Sequence, residues 1–385
     1  MFKEFIEFVS EIYSPKDSIS LHEPYFAGKE KKYLADVIDS TFVSSVGRYV
    51  DLFEEKLSEF TGSKYAIATV NGTSALHIAL KVAGVKPGDE VITQSLTFVA
   101  TCNAIRYCGA TPVLLDVDKD NLCLSSIKLD EFLKKYTQIR DDGFCWNKLT
   151  GKRISAVVPM HTYGHPCDIM QIERICHENR ITLVEDAAES LGSFVDGVHT
   201  GNFGKVSAIS FNGNKIITTG GGGVILTADP EVAKQARHLT TTAKRAHKWE
   251  FSHDEVAYNY RMPNINAAVG LAQMENIENI LSKKRKLAEI YNEWFSRRGI
   301  KFLTERKNTK SNYWLNSIIL GDKNERDAFL SCSNKSNIAT RPTWTPMHML
   351  EINKDCFSGN MKETEYIFDR LVNIPSSARY NFEKS

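Results

Sequence analysis

Apolar residues between positions 65 and 227 form short continuous runs that alternate with stretches of helical periodicity. Strands without a polar face are typical of parallel sheets, because helices cover both of their faces. The pattern therefore predicts an α/β fold with a mostly parallel seven-stranded sheet in a large domain. The predicted strands are Tyr65–Val70, Glu90–Thr93, Thr111–Asp116, Ile154–Pro159, Thr182–Glu185, Val206–Phe211 and Val224–Thr227.

Helices are predicted between these strands wherever apolar residues recur every three or four positions. The last two strands are instead joined by a polar turn and the four glycines from Gly220 to Gly223, which predicts one strand of opposite direction. Residues 1–20 are predicted to be a helix followed by a linker. The other predicted helices are Glu30–Ser40, Tyr49–Phe60, Ser74–Ala83, Phe98–Cys108, Lys128–Tyr136 and Asp168–Asn179.

The alternation of strands and helices ends near residue 250. One long helix is predicted after Pro263, because its apolar positions continue at helical spacing as far as Leu281. A strand at Trp314–Leu320 and helices near 325–332 and 362–371 complete a smaller α+β domain. We therefore predict a large domain over residues 1–250 and a small C-terminal domain over residues 251–385.

The charge of the chain excludes some classes of partner. The 48 Lys and Arg residues balance the 47 Asp and Glu residues, so neither a nucleic-acid partner nor a membrane-surface partner is expected. No apolar run is long enough to span a bilayer, and the N-terminus lacks the pattern of a signal peptide. The eight cysteines show neither CxxC pairs nor metal-site spacing, which favours reduced thiols, no metal and a cytoplasmic location.

Lys215 lies in the polar turn between the last two predicted strands. A turn between two core strands directs the amine of a lysine to one place, as a lysine that forms an imine with an aldehyde cofactor requires. A solvated turn lysine beside a flexible glycine hairpin would have the same local sequence. The choice between the two interpretations depends on the other strand ends, because ligands bind at the carboxyl ends of parallel strands.

The first strand ends in Asn71-Gly72-Thr73-Ser74, where a helix is predicted to begin. Backbone N–H groups and hydroxyls at a helix N-terminus make a phosphate site, although an ordinary N-cap has the same residues. Ser210, five residues before Lys215, could reach the same phosphate, or its hydroxyl could bond to the backbone.

An acidic pair, Glu185-Asp186, ends the strand Thr182–Glu185. An acid directly after a buried strand needs a partner, and a pyridinium N–H would serve as well as a neighbouring loop. Phe98 follows another strand and could lie flat on a cofactor ring, although it could equally be a core residue. A phosphate site, an acid, a flat aromatic and an imine-forming lysine together describe pyridoxal 5'-phosphate.

These residues belong to a longer ordered set of motifs. The sequence resembles the sugar aminotransferases of the DegT/DnrJ/EryC1/StrS family, which implies the aspartate-aminotransferase architecture called fold type I. The motifs that carry this resemblance extend over nearly the whole chain. They are Asn71–His77, Thr97–Thr101, His161-Thr162-Tyr163-Gly164, Glu185-Asp186-Ala187-Ala188-Glu189, Ser210-Phe211 with Lys215 and its glycines, and Tyr258-Asn259-Tyr260-Arg261-Met262.

The resemblance implies a role for each site residue. Lys215 would bind the cofactor covalently and move the proton, and Asp186 would pair with the pyridinium nitrogen. Family active sites lie at a homodimer interface, so Asn259 would reach the phosphate of the partner's cofactor. The other implied cofactor contacts are Thr73, Ser74 and Ser210 at the phosphate, Phe98 on the ring and Glu189 beside its hydroxyl. The implied substrate contacts are His161, Arg261, Trp344 and His348.

The implied reaction is transfer of an amino group from L-glutamate to a nucleotide-linked 4-keto-6-deoxy sugar, for surface polysaccharide or glycan synthesis. Residues 212–223 and 341–348 resemble the subgroup that makes 4-amino sugars on the way to bacillosamine and legionaminic acid, whose substrate is a UDP-linked N-acetylhexosamine. Two alternatives stay open at this point. One is a regulatory protein that binds the cofactor without turnover. The other is a cofactor-dependent sugar dehydratase, against which Lys215 argues, because the family members that dehydrate sugars have histidine at this position.

Overall fold

The computed structural model describes residues 2–381. Twelve α-helices lie in this part of the chain, and six of them, α2 to α7, coincide with a predicted helix to within two residues at both ends. They are α1 Phe2–Tyr13, α2 Glu30–Ser40, α3 Arg48–Thr61, α4 Gly72–Val82, α5 Val99–Tyr107, α6 Ser126–Tyr136, α7 Ile169–Glu178, α8 Pro230–Thr240, α9 Asn264–Glu275, α10 Ile277–Ser296, α11 Lys323–Lys335 and α12 Lys362–Phe368.

The strands of the described residues form one large sheet and three small ones. The large sheet has the order β1-β11-β10-β7-β6-β2-β3. The strands are β1 Tyr65–Thr69, β2 Glu90–Gln94, β3 Thr111–Leu115, β4 Thr137–Ile139, β5 Cys145–Asn147, β6 Ile154–Val158, β7 Thr182–Asp186, β8 Phe194–Val195, β9 Val198–His199, β10 Val206–Ser210, β11 Gly223–Thr227, β12 Lys301–Phe302, β13 Thr309–Lys310, β14 Asn316–Ile319, β15 Arg341–Pro342 and β16 Leu371–Ile374.

The predicted mostly parallel seven-stranded sheet is confirmed. β10, β7, β6, β2 and β3 pair in parallel, and β11 pairs antiparallel to both of its neighbours, β1 and β10. Six of the seven strands therefore run in one direction, and their carboxyl ends meet at one edge. β2, β6 and β11 are buried at every position, because helices cover both faces of the sheet.

The prediction of one unbroken helix after Pro263 is wrong. Asn276 lies between α9 and α10 and caps both helices. Its backbone conformation (φ −110°, ψ 7°) is outside the helical range, so the chain forms two helices there. The break was invisible in the apolar pattern because Met274, Ile277 and Ile280 on its two sides are all buried. α8 was not predicted, although Asp229 caps its first turn and Pro230 occupies its first position.

A four-stranded antiparallel sheet in the order β12-β14-β16-β15 forms the core of the C-terminal region. The helix predicted near 362–371 ends at Phe368, because Leu371–Ile374 joins this sheet as β16. α1 packs its apolar face against α10, α11 and this sheet, whereas α9 packs against α2 and α3. The domain boundary at residue 250 stays a prediction. Helices on its two sides pack against each other, since α1 contacts α10 and α11, and α9 contacts α2 and α3.

The described helices include none with both the length and the apolar composition to cross a bilayer.

The β10–β11 hairpin approaches the beginning of α4 closely, and Gly223 makes this possible. A Cβ on Gly223 would lie 2.6 Å from the backbone carbon and oxygen of Asn71. We expect Gly223→Ala to lower the free energy of unfolding by about 1–3 kcal/mol, because backbone must move to admit the methyl group. Thermal unfolding checks this result. Gly213→Ala is the matched control, since its Cβ would meet nothing within 4 Å, and an equal loss in both variants would contradict the packing argument.

Candidate active site

Lys215 ends a short turn after β10, and the turn holds its amine close to two side chains. The Nζ atom lies 3.1 Å from Oε1 of Glu189 and 3.9 Å from the centre of the Trp314 ring. Only 13% of the Lys215 side chain is exposed. The interpretation as a solvated turn lysine is therefore wrong, because the amine is inside a cavity and has defined partners.

Glu189 follows β7 and is buried, and each of its two carboxylate oxygens has a polar partner. Oε1 faces the amine of Lys215, and Oε2 accepts a hydrogen bond of 2.9 Å from the backbone N–H of Tyr163. Burial raises the pKa of Glu189 to about 7, against the opposing effect of the lysine charge. At neutral pH a proton is thus available at the Glu189–Lys215 pair.

The beginning of α4 provides hydrogen-bond donors at one end of the cavity. Asn71 caps the helix by accepting from the N–H of Ser74 at 2.7 Å, which leaves the N–H groups of the first turn directed outward. Gly72 lies against Ser210, where a Cβ would meet the serine Cβ at 2.6 Å. Only glycine at this position lets the helix N-terminus and the Ser210 hydroxyl face the same point, as a bound phosphate requires.

Asp186 ends β7 at the centre of the sheet and is 4% exposed. Oδ2 accepts a 2.7 Å hydrogen bond from the hydroxyl of Thr101, and Oδ1 accepts one of 3.2 Å from the N–H of Ala188. Burial raises the pKa of Asp186, while both hydrogen bonds oppose the shift. A buried carboxylate held in this way gains most from a cationic ligand, which would repay its desolvation.

A cavity of about 200 Å³ joins these groups. Three aromatic side chains contribute to its wall. Phe98 is half-exposed where α5 begins, Trp314 is buried, and the Trp344 ring lies 6.1 Å from that of Phe98. Seven predicted site residues line this cavity: Thr73, Phe98, Asp186, Glu189, Ser210, Lys215 and Trp344.

His161 is not among the lining residues, and the substrate contact predicted for it does not fit its surroundings. The ring is fully buried, with Nε2 3.1 Å from Glu185 and Nδ1 accepting from the N–H of Cys167. Burial acts to raise the pKa of Glu185, but His161 and two backbone amides outweigh it, so the net shift is downward. His161 therefore stabilises the buried end of β7. Its ring contacts Glu185, and its backbone N–H donates to the carbonyl of Asp186.

Arg261 likewise lies away from the cavity. Its guanidinium is buried in an ion pair with Glu54 (2.6 Å), and it also donates to the carbonyl of Ala68. The predicted contact with a substrate diphosphate does not fit this position within one chain, because the charge is already neutralised. Asn259, two residues before Arg261, is exposed. Its predicted contact with the cofactor of a partner subunit stays a prediction.

Two further predicted residues lie behind the cavity wall rather than on it. Ser74 is buried, its N–H is used by the cap of α4, and its hydroxyl reaches the phenol of Tyr260. Nδ1 of His348 bonds to the Ser95 hydroxyl at 2.7 Å, and the cavity lining does not include His348. Nε2 of His348 lies 3.4 Å from a carboxylate oxygen of Glu365, and the ligand contacts of Ser74 and His348 stay predictions.

Sequence reasoning missed two residues that act on the site. Thr101 belongs to the motif Thr97–Thr101, and the sequence pattern assigns it no role, although it lies one helical turn after Phe98 and its hydroxyl donates to Asp186. Trp314 was treated only as the beginning of a strand. No local signal could have identified Trp314, because ninety-nine residues separate it from the lysine that it covers.

Comparison with known proteins agrees with this geometry. The model of the DegT/DnrJ/EryC1/StrS aminotransferase family matches residues 24–384. The chain belongs to this family. It is 36% identical over 362 residues to GDP-perosamine synthase of Escherichia coli O157:H7, with 93% of each chain covered. It is 34% identical to EpsN of Bacillus subtilis, named as a pyridoxal phosphate-dependent aminotransferase, over 94% of this chain and 91% of the relative.

A solved structure shows the same fold. The aminotransferase TlmJ of Streptoalloteichus hindustanus superposes with a TM-score of 0.83 at 27% identity, and 93% of each chain is covered. The chain is thus a sugar aminotransferase of fold type I, and its cofactor is pyridoxal 5'-phosphate.

The residues of the cavity fit this cofactor. The cavity has donors for a phosphate at the beginning of α4, a buried acid for the ring nitrogen at Asp186 and a primary amine at Lys215. The gap between Gly72 and Ser210, which any Cβ would fill, lies where the phosphate donors converge.

The hydrogen bond from Thr101 to Asp186 generates a prediction. In Thr101→Val the carboxylate loses a donor, so the pKa of Asp186 rises further above its ordinary value. Because Asp186 must be ionised to pair with a ring N–H, we expect the acid limb of the kcat profile to move to higher pH. We also expect kcat at pH 7 to fall about tenfold, the equivalent of one hydrogen bond to a charged group.

Thr93→Val is the control for this experiment. It removes a buried hydrogen bond of the same length, from the Thr93 hydroxyl to the carbonyl of Val158, at a site away from Asp186. We expect lower thermal stability in Thr93→Val with an unchanged pH profile. A profile that moved equally in both variants would show that the effect is general destabilisation.

Proposed function

We propose that this protein transfers an amino group from L-glutamate to the C4 ketone of a nucleotide-linked 4-keto-6-deoxy sugar and uses Lys215 as its covalent cofactor site and proton carrier. The observation that carries the proposal is the meeting of the Lys215 amine, the buried Asp186 carboxylate and the N-terminus of α4 around one cavity. Family membership supports the reaction class, and the cavity residues support the assignment of roles.

Each end of the cavity would hold a different part of the cofactor. The N–H groups of the first turn of α4, with the hydroxyls of Thr73 and Ser210, would bind the phosphate. Asp186 would hold the ring nitrogen protonated, and Phe98 would cover a ring face. When bound, the cofactor supplies an electron sink for the carbanion that forms when a proton leaves the amino donor.

Lys215 would remove that proton and return it at another atom. The amine would remain within reach because the turn at Asn212–Lys215 is short and β10 is hydrogen-bonded to a strand on each side. Glu189, 3.1 Å from the amine and with a pKa of about 7, would accept or release the accompanying proton near neutral pH.

The sugar carrier is the finer part of the proposal. The motifs at 212–223 and 341–348 favour a UDP-linked N-acetylhexosamine, whereas the E. coli relative at 36% identity is named for a GDP-linked amino sugar. We give priority to the GDP-linked 4-keto-6-deoxyhexose, because this relative is similar over 93% of its chain and the motifs cover about twenty residues. Trp344 lines the cavity and would face the sugar.

We also propose that the protein works as a homodimer in the cytoplasm. The Asn259 side chain is exposed, and none of the side-chain hydrogen bonds within the described residues uses it. It is therefore available for a contact with a partner subunit. The eight cysteines are all free thiols, which supports a reducing compartment.

Mass spectrometry of reaction mixtures tests the function. Purified protein, pyridoxal phosphate and L-glutamate are incubated separately with the GDP-linked and the UDP-linked keto sugar. A product about one mass unit heavier than the ketone is expected, since a carbonyl oxygen is replaced by nitrogen and three hydrogens, with the higher rate on the GDP-linked substrate. Cofactor binding without a product from any keto sugar would favour the regulatory alternative, and loss of water would favour the dehydratase.

Replacement of the two central residues gives a second test. We expect Lys215→Ala and Asp186→Ala to lower kcat by a factor on the order of 10³, because each removes a group with no substitute in the cavity. Borohydride reduction followed by peptide mass spectrometry should place the cofactor mass on Lys215 in the unsubstituted protein. Cofactor found on another lysine, or near-normal turnover in Asp186→Ala, would contradict the assigned roles.

A further inference from the structure

Lys284 is a fully buried lysine that the reaction described above does not use. It lies in α10 with 0% of its surface exposed, and no ion pair involves it anywhere in residues 2–381. Burial holds the pKa of Lys284 well below its ordinary value. A neutral primary amine has two N–H donors, and a buried site must satisfy both of them.

Two backbone carbonyls accept these two hydrogen bonds. One belongs to Trp314, at 2.8 Å, and the other belongs to Ser376, just after β16. The hydroxyl of Ser376 in turn accepts from the N–H of Asn316 at the beginning of β14. Lys284 therefore joins α10 to the loop before β14 and to the end of β16.

Trp314 makes two contacts with the lysine turn of the cavity. Its indole N–H donates a 2.6 Å hydrogen bond to the carbonyl of Asn214, and its ring face lies 3.9 Å below the Nζ atom of Lys215. A ring face at this distance attracts a charged amine and keeps it from bulk water. Tyr163 packs on the same indole, with ring centres 6.1 Å apart, and limits its movement.

The path from Lys284 to Lys215 is continuous and passes through the buried side chain of Trp314. The backbone carbonyl of Trp314 is held from one side, and its ring is held from the other.

We propose that Trp314 holds the free amine of Lys215 in place through its ring face and indole N–H, and that Lys284 is a positioning residue that fixes Trp314 from behind. The proposal rests on the role proposed for Lys215. The amine of Lys215 would be free of the cofactor during part of each turnover, and a fixed ring face would keep it near the cavity.

The reactivity of Lys215 in the full-length protein without cofactor tests this arrangement directly. The protein is treated with a lysine-acylating reagent, and the rate of labelling at Lys215 is measured by peptide mass spectrometry relative to Lys134, which is 76% exposed. The variants are Trp314→Leu, which removes the ring face, Trp314→Phe, which retains a ring but lacks the indole N–H, and Lys284→Met, which removes only the buried amine.

We expect Trp314→Leu to raise the labelling rate of Lys215 about fivefold, because the ring face that covers the amine is lost. Lys284→Met should raise it in the same direction by about threefold, and Trp314→Phe should lie between the original protein and Trp314→Leu. Lys286→Met is the matched control. It lies two positions along the same helix and is 59% exposed, so it should change nothing.

Kinetics of the cofactor-loaded protein separate positioning from general stability. In Lys284→Met we expect kcat to fall about fivefold with the KM for L-glutamate changed less than about twofold. Unchanged Lys215 labelling in both Lys284→Met and Trp314→Leu, with thermal unfolding showing a folded protein, would overturn the proposal. If Lys284→Met does not fold, the Trp314 variants decide the result alone.

Failure of the proposal on Trp314 and Lys284 can be distinguished from failure of the proposed function. The labelling experiment requires no cofactor and no sugar, whereas borohydride fixation at Lys215 reports on the cofactor site. A raised labelling rate with cofactor fixed elsewhere would leave the Trp314 contact intact and reject the catalytic role of Lys215.

Discussion

The burial of two acids at the end of the central strand is the constraint on which the site depends. Glu185 and Asp186 are consecutive in β7, so their side chains point to opposite faces of the sheet. Each must find hydrogen-bond partners without water, since an unpaired buried carboxylate costs several kcal/mol. Glu185 and Asp186 find their hydrogen-bond partners in different ways, and this difference gives Glu185 a structural role and leaves Asp186 able to bind a ligand.

Glu185 is satisfied completely within the protein. It accepts from the backbone N–H groups of Gly201, Phe203 and Gly204 and contacts the ring of His161. Asp186 receives only the Thr101 hydroxyl and one backbone N–H, so its carboxylate retains capacity for a cationic partner in the cavity. One acid thus stabilises the sheet edge, and the neighbouring acid retains the capacity that its proposed pairing with a pyridinium nitrogen requires.

The lysine turn depends on the same edge of the sheet. β10 runs beside β7, which brings Ser210 to the beginning of α4 and places the turn with Lys215 above Asp186. Glycines at 72 and 223 permit backbones to approach within distances that no other residue allows. Two of the three aromatic side chains in the wall, Trp314 and Trp344, come from the C-terminal region, so the cavity closes only when both parts of the chain are packed together.

The local sequence determined the fold class and the order of the chemistry. Continuous apolar runs indicate strands covered on both sides, and Asn71–Ser74, Phe98, Asp186 and Lys215 each follow a strand, so they converge at one edge. The motif set also identified the family, because it is spread over nearly the whole chain and is ordered. The break at Asn276 was missed, since apolar spacing continues across it.

Tertiary structure alone decided which polar side chains face the cavity. His161 and Arg261 belong to the same ordered set of motifs as the cavity residues, yet the buried carboxylates of Glu185 and Glu54 bind their polar groups. Trp314 and Lys284 carried no signal, because their effect depends on contacts with residues far away in the chain. Sequence periodicity reports the side of an element on which a residue lies, and only packing decides which neighbour satisfies its hydrogen bonds.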